Sequence, residues 1–289
     1  MKNELTRRKP AAAGTFYEAD RDELLMQINS CFNSPHGPQK LPKSKSEMDA
    51  PPPIIVSPHA GYMYSGPVAA HGFYEISIRR RPESIVIIGP NHFGIGTDVS
   101  IYPRDSWITP LGEAKIDTQL VTKLSNSSEI FSLDEFSHME EHSIEVQIPF
   151  LQYVYGEIKF VPICMLDQSV SVAKLIGEIL ADVISEPEKI LVVASSDFSH
   201  YVSQDEALRR DLPVIERILK LDIDGFYQEI SHRKATLCGY GPIAAAMSFA
   251  RKIGYKTSRL LKYATSGDVT GEKSSVVGYA SIMFSSEIS

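Results

Sequence analysis

Three uninterrupted apolar runs organise the chain: residues 54–56 (Ile-Ile-Val), 85–88 (Ile-Val-Ile-Ile) and 190–194 (Ile-Leu-Val-Val-Ala). None alternates with polar positions, so each reads as a short strand buried on both faces. All three spill into a loop that presents a histidine: Ser57-Pro58-His59, Gly89-Pro90-Asn91-His92, and Ser195-Ser196-Asp197-Phe198-Ser199-His200. Side by side in one parallel sheet, their carboxyl ends lie on one edge and three histidines converge there.

Between and beyond these runs the spacing is helical. Asp20 is placed to cap a helix carrying Leu24, Leu25, Ile28 and Phe32. Gly66-Pro67 reads as the start of a helix over 67–78, and a further helix is expected over 117–124. Glu140 to Glu145 opens a helix with an apolar stripe of Ile144, Ile148, Leu151 and Tyr155, which Pro149 should bend or restart. The pattern then predicts a strand at 160–163, a helix over 170–184, amphipathic helices over 205–221 and 224–232, and another running through Ala250. A short strand is expected near 99–102, and strands at 260–265 and 276–284 close the chain around the polar loop 266–271. That loop has the glycines of a phosphate cradle but not the GxxxxGK[ST] order, so a hairpin-type connection is expected. Strands alternating with helices predict a single α/β domain over residues 1–289, with helices on both faces of a largely parallel or mixed sheet. Residues 34–53, rich in Ser, Pro and Lys, read as an exposed connector within it.

Composition narrows the function classes. With 43% hydrophobic and 22% charged residues the chain is ordinary globular protein, and a net charge of −7 argues against a nucleic-acid or anionic-membrane partner. The short clusters Arg7-Arg8-Lys9 and Arg79-Arg80-Arg81 read as solvated faces. Three widely spaced cysteines suit a reducing compartment, no apolar run approaches a membrane span, and Met1-Lys2-Asn3-Glu4 leads into charge; a cytoplasmic location is expected.

Imidazole is the commonest transition-metal ligand, so His59 and His92, held on rigid strand ends, suit Fe, Zn or Cu. Cys238 precedes Gly239-Tyr240-Gly241-Pro242 at a helix start, where the helix dipole should favour its thiolate; Cys31 and Cys164 read instead as buried and inert. Asp197 and His200 lie three apart, so the carboxylate can orient the imidazole or the two can act as acid and base. Glu141, His142 and Glu145 offer another acid-base group, with Glu141 also readable as a first-turn helix charge. A cysteine nucleophile with His200 as base and Asp197 as orienter is a further arrangement, though it leaves His59 and His92 without a role.

The motifs RKPAAAGTFYEAD, SPHAGYMYSGPVAAHGFYE, GPNHFG, EHSIEVQIPFLQ, SSDFSHY, LCGYGPI and YATSGDVTG followed by SSVVGYAS, in this order across almost the whole chain, resemble the Memo family, the AmmeMemoRadiSam system protein B group. The resemblance implies a fold like that of the class III extradiol ring-cleavage dioxygenases, with the conserved pocket where those enzymes hold non-haem iron. It places His59, His92 and Cys238 as metal ligands, Asp197, His200 and His142 in the pocket, and Phe16 on an aromatic wall. The dioxygenases use two histidines and a carboxylate; a thiolate changes the redox character of Fe(II), the expected metal, or favours Cu or Zn. Two functions follow from the resemblance. One is a redox or oxygen-activating iron enzyme of a small-molecule substrate, an oxidoreductase with His142, Asp197 and His200 as catalytic groups. The other is a peptide- or partner-binding protein with a catalytically vestigial pocket, AMMECR-type and radical-SAM proteins being the implied partners.

Overall fold

The computed structural model describes residues 7–43 and 46–286; Met1 to Glu4, on which the reading of the chain's start rests, lie outside the described residues. The chain begins with β1 (Arg7–Arg8), α1 (Arg21–Asn33), β2 (Ile54–Ser57), α2 (Tyr62–Ser77) and β3 (Ser84–Pro90). There follow β4 (Val99–Ile101), β5 (Ser106–Thr109), β6 (Gly112–Ile116), α3 (Thr118–Ser127), β7 (Ser132–Leu133), α4 (Phe136–Met139) and α5 (Gln147–Tyr155). The second half comprises β8 (Lys159–Met165), α6 (Val170–Val183), β9 (Ile190–Ser195), β10 (His200–Val202), α7 (Gln204–Leu219) and α8 (Ile223–Arg233). It ends in α9 (Tyr240–Lys252), β11 (Thr257–Thr265), α10 (Ser266–Thr270) and β12 (Val276–Ser285).

The strands make one mixed α/β sheet in the order β1-β5-β6-β8-β3-β9-β2-β12-β10, with β11 on the far edge of β12 and β4, carrying β7, beside β8. Its centre is parallel: β8 beside β3, β3 beside β9, β9 beside β2. These are the apolar runs of the sequence, and they lack alternation because helices cover both faces; from Ile85 to Ile88 every residue is buried. The crossover through α2 carries the chain from β2 past β9 to β3, whereas α6 carries it from β8 back past β3 to β9. Right-handed crossovers running in opposite directions put their helices on opposite faces. Thus α2 packs with α1 and α5 on one side, and α6 with α9 and α3 on the other. Beyond its carboxyl end β3 leads on towards β8, while β9 leads the other way to β10, which opens a crevice above the strand ends where ligands bind in such sheets.

Several elements differ from the sequence reading. Helix α2 begins at Tyr62, not at Pro67, because the Tyr62 N–H donates to Phe16 O at 2.7 Å and its hydroxyl to Val146 O at 2.6 Å, nucleating the first turn earlier. Pro67 is then tolerated inside the helix: the carbonyl it cannot serve belongs to Met63, which is 63% exposed. Residues 143–146 form a turn, and α5 starts only at Gln147, so Pro149 falls in its first turn and neither bends nor restarts it. Loop 266–271 contains α10, closed by a capping box of Thr265 and Asp268, although it does join antiparallel β11 and β12. The described part of 34–53 is exposed over 46–49 yet anchored to the helix end: Glu47 and Met48 N–H groups both donate to Ile78 O at 2.9 Å, and Ala50 is buried.

Nor are the basic clusters wholly solvated. Arg79 is buried against Glu75, and Arg8 is buried in β1, its guanidinium 4.1 Å from the centre of the Trp107 ring. Arg8 donates through Nη1 to Glu145 Oε2 at 2.5 Å, through Nε to His138 O at 2.6 Å and through Nη2 to Glu141 O at 2.8 Å. Glu145 also accepts from the N–H groups of Ala11 and Ala12 and from the Tyr17 hydroxyl. It is therefore a structural anchor, not the acid-base partner of Glu141 that the sequence allowed.

Candidate metal centre

His59 follows β2, His92 follows β3, and Asp197 follows β9, the strand between them. Cys238 arrives from elsewhere, on the loop before α9, and Gly239 makes the approach possible: a Cβ at Gly239 would overlap Ser195 O and Ser196 Cβ. The Gly239 N–H in turn donates to Ser196 Oγ at 3.0 Å, fastening the cysteine loop to the end of β9. Gly239→Ala should therefore displace Cys238 and weaken metal binding by at least about 10-fold, the low end of what misplacing a ligand's support costs; a metal titration checks this.

The hydrogen bonds around His59 decide its tautomer. Gln147 Nε2 spends its two protons on Pro58 O at 3.0 Å and Ser195 Oγ at 2.9 Å. The Ser195 hydroxyl spends its single proton on Ser143 O at 2.6 Å. Ser195 Oγ can then only accept from His59 Nδ1, 2.9 Å away, so Nδ1 carries the proton and Nε2 keeps its lone pair. Burial, with the neighbouring His142, His92 and His200, holds the imidazole neutral by pushing its pKa well below the ordinary value. The lone pair faces Cys238 Sγ at 3.0 Å.

His92 is oriented by charge. Its Nδ1 lies 2.9 Å from Glu141 Oε1 and its backbone N–H donates to Oε2 at 2.6 Å; the Ser143 N–H donates to Oε1 at 2.8 Å. Burial works to raise the Glu141 pKa, but the hydrogen bonds and charge of His92, with the charge of His142, outweigh it and hold Glu141 at about 2. A carboxylate accepting from Nδ1 leaves Nε2 as the ligating nitrogen, the carboxylate–histidine arrangement common behind metal ligands. The other reading of Glu141, as a first-turn charge, does not hold, since α5 starts six residues later. Glu141→Gln is expected to lower metal affinity about 10- to 100-fold with little change in thermal midpoint, which a titration paired with a melting curve would register.

One ligating atom from each of His59, His92 and Cys238 lies within 4.8 Å of the other two. Donors that share one ion at about 2.0–2.3 Å stand roughly 3–4 Å apart, so the set fits a single metal of the zinc, copper or iron type. His92, Glu141 and His142 also converge, but the Glu141 oxygens already serve the three donors above, so the first group is the better cage. The thiol departs from the sequence expectation: burial, then the adjacent Asp197, raises its pKa above the ordinary value, overriding the nearby helix start. Its sulfur nonetheless accepts from the Asp197 N–H at 3.2 Å, a contact that suits a metal-bound thiolate.

Asp197 and His200 do not pair. Burial raises the Asp197 carboxyl to about 6, and its Oδ1 accepts from the His59 N–H at 2.8 Å, so it braces the His59 loop. His200 instead donates from Nδ1 to Thr236 O at 2.7 Å, leaving Nε2 free on the cleft wall. Because Cys238 meets His59 and not His200, the thiol, base and orienter arrangement is not formed. His142 stacks on Phe16 at 4.3 Å and on His92 at 4.6 Å between ring centres, and burial lowers its pKa to about 4 despite Glu141, so it is neutral near pH 7. Together these residues floor a cleft of about 840 Å³. A second cleft, of about 910 Å³ beside Arg81, Lys115 and Lys159, contains none of them. The supporting residues Ser195 and Gln147 escaped the sequence reading; the available signal was a glutamine inside the apolar run from Ile144 to Leu151.

Fold and site together define an α/β protein with a two-histidine, one-cysteine group, buried at His59 and open to the cleft at His92, able to hold a metal at the carboxyl ends of parallel strands. The chain belongs to the family of Memo-like proteins, which it matches over residues 8–283. It is 45% identical over 284 residues to a MEMO1 family protein of Saccharolobus islandicus, covering 97% of this chain and 100% of that one. MEMO1 family proteins of Sulfolobus acidocaldarius (45% over 283 residues, 96% and 99% of the chains) and Metallosphaera sedula (43% over 281 residues, 96% and 99%) are similar to it. Among solved structures, an uncharacterized protein from Escherichia coli K12 aligns with a TM-score of 0.48 at 15% identity, covering 80% of this chain and 98% of that one. No helix among the described residues is long and apolar enough to cross a membrane.

Proposed function

We propose that the protein is a mononuclear non-haem iron oxidoreductase, with His59, His92 and Cys238 holding Fe(II) and a small-molecule substrate entering the cleft above them. The observation that carries this reading is the pair of lone pairs freed by the hydrogen-bond network: Ser195 fixes the proton of His59 on Nδ1 and Glu141 that of His92, so both Nε2 atoms are available beside one sulfur. When bound, Fe(II) supplies redox chemistry with dioxygen or a reduced small molecule; copper or zinc would suit the same donors. His200 Nε2, with Nδ1 committed to Thr236 O, can take a proton from a substrate hydroxyl or amine in the cleft. His142, neutral and sandwiched by Phe16 and His92, positions a ring or excludes water above His92. Asp197 holds the His59 loop and, through its N–H, the sulfur. The thiolate distinguishes this donor set from the two-histidine, one-carboxylate sites of ring-cleaving dioxygenases, so the reading extends to redox and oxygen chemistry without specifying ring cleavage.

Anaerobic purification without chelator, metal analysis and the EPR signal of the nitric-oxide adduct test the proposal. One equivalent of iron with a high-spin signal that vanishes in Cys238→Ala is expected. Stoichiometric zinc with no iron would overturn the redox reading, and metal content unchanged by the variant would overturn the ligand set.

A further inference from the structure

The cleft has an outer wall that metal binding does not require. Tyr201, in β10, is 80% exposed, and its backbone sits at φ 56°, the left-handed region that bulky side chains avoid. The register of β10 on β12 shifts between His200 and Val202, so Tyr201 is the bulge residue, and the bulge aims its ring at the cleft mouth. An aromatic ring kept in water by a strained backbone is a feature that packing does not explain and that ligand contact does. Tyr64 and Tyr279 line the same cleft, and Phe16 adds a fourth ring over His142.

The charges of the lining are one-sided. Among the described residues that line the cleft there is no lysine or arginine; its carboxylates are Asp197 on the floor and Glu272, which is exposed. Glu272 is held in place by the Ser274 N–H, which donates to Oε1 at 2.8 Å. The starts of α2 and α9 lie near His59 and Cys238, so the floor favours an electron-rich group. Beyond the floor the lining presents ring faces, the hydroxyls of Ser266, Thr270 and Ser275, and a carboxylate, surroundings that attract a cation and offer an anion no charged partner.

We infer that the cleft selects an aromatic ligand bearing a protonated amine, with the ring between the aromatic walls and the ammonium outward against Glu272 and the tyrosine faces. The inference rests on reading the cleft as the substrate site of the proposed function, and it assigns to Glu272 the choice of ligand charge and to Tyr201 the contact with the ligand ring. Phenethylamine, 3-phenylpropionate and 3-phenylpropan-1-ol share a ring and a similar length but carry positive, negative and no charge. Each is titrated calorimetrically into the full-length protein, metal-free and metal-loaded.

In the metal-free protein the amine should bind about tenfold tighter than the carboxylate, with the alcohol between them. Glu272→Gln should bring the amine to the affinity of the alcohol. Tyr201→Ala should weaken all three ligands severalfold, and Tyr201→Gly should do the same with an unchanged or higher thermal midpoint, since glycine relieves the positive φ. Equal or tighter binding of the carboxylate, a preference untouched by Glu272→Gln, or no binding of any of the three at millimolar concentration would overturn the inference. Charge selection is read without metal, so its failure leaves the metal reading standing, and a protein that selects charge yet holds no metal fails only the latter.

Discussion

Cys238→Ser is expected to lower metal affinity by at least about 100-fold, because loss of even an outer partner of a ligand typically costs 10- to 100-fold and this change removes a ligand outright. Serine keeps the shape of the loop, so Gly239 can still approach Ser195 and the Asp197 N–H still finds an oxygen in place of sulfur. A hydroxyl is a far poorer ligand than thiolate for a borderline metal. A competition titration against a chromophoric chelator under anaerobic conditions measures the loss. His59→Ala should lose as much metal but also stability, since it takes from Ser195 Oγ the donor at 2.9 Å and opens a hole at a buried position. Affinities within about threefold of the parent in Cys238→Ser would show that the sulfur is not a ligand.

The largest effect on stability is expected from Arg8→Met. The Arg8 and Glu145 side chains are 3% and 1% exposed, and the change strands the Glu145 carboxylate in the interior with Ala11, Ala12 and Tyr17 as its remaining donors. Breaking one partner of a buried ion pair costs about 3–5 kcal/mol, or roughly 5–8 °C in thermal midpoint for a chain of this size. Because Arg8 also holds Glu141 O and His138 O, the same variant should loosen the carboxylate behind His92 and weaken metal binding. Thermal denaturation with and without added metal separates the two effects. A loss under about 1 kcal/mol would mean that the pair is not the anchor described.

How much of this was legible in the sequence follows from what each signal depends on. The central strands were plain because burial on both faces leaves an unbroken apolar run, as in residues 85–88. Their loops were plain because a histidine after Pro58 or Asn91 has no packing reason to recur at strand ends. The meeting of His59, His92 and Cys238 could be expected from strand ends and a helix start, and from the family motifs. What decides their chemistry could not, since Ser195 fixes the tautomer of His59 only through a chain of protons that also involves Gln147 and Ser143. The fate of Arg8 was hidden for the same reason: a run of basic residues reads as solvated unless its partner, here 137 positions away, is known. Strands β5 and β6 escaped because they run only four and five residues and β5 buries polar Ser106 and Thr109, so neither carries a continuous apolar signal. Helix α2 was misplaced at its start because Gly66-Pro67 is a strong local signal, overridden by the tertiary bonds of Tyr62 to Phe16 and Val146.

The central claim is that the lone pairs of His59 and His92 and the sulfur of Cys238 exist to hold one metal ion. Metal analysis of untagged protein, made and purified anaerobically without chelator, tests it most directly when run in parallel on the parent and on Cys238→Ser. The account predicts one equivalent of a transition metal, iron foremost, in the parent and well under a tenth of an equivalent in the variant. A parent that carries no metal and takes up none when titrated, or a variant that keeps its full equivalent, would contradict it.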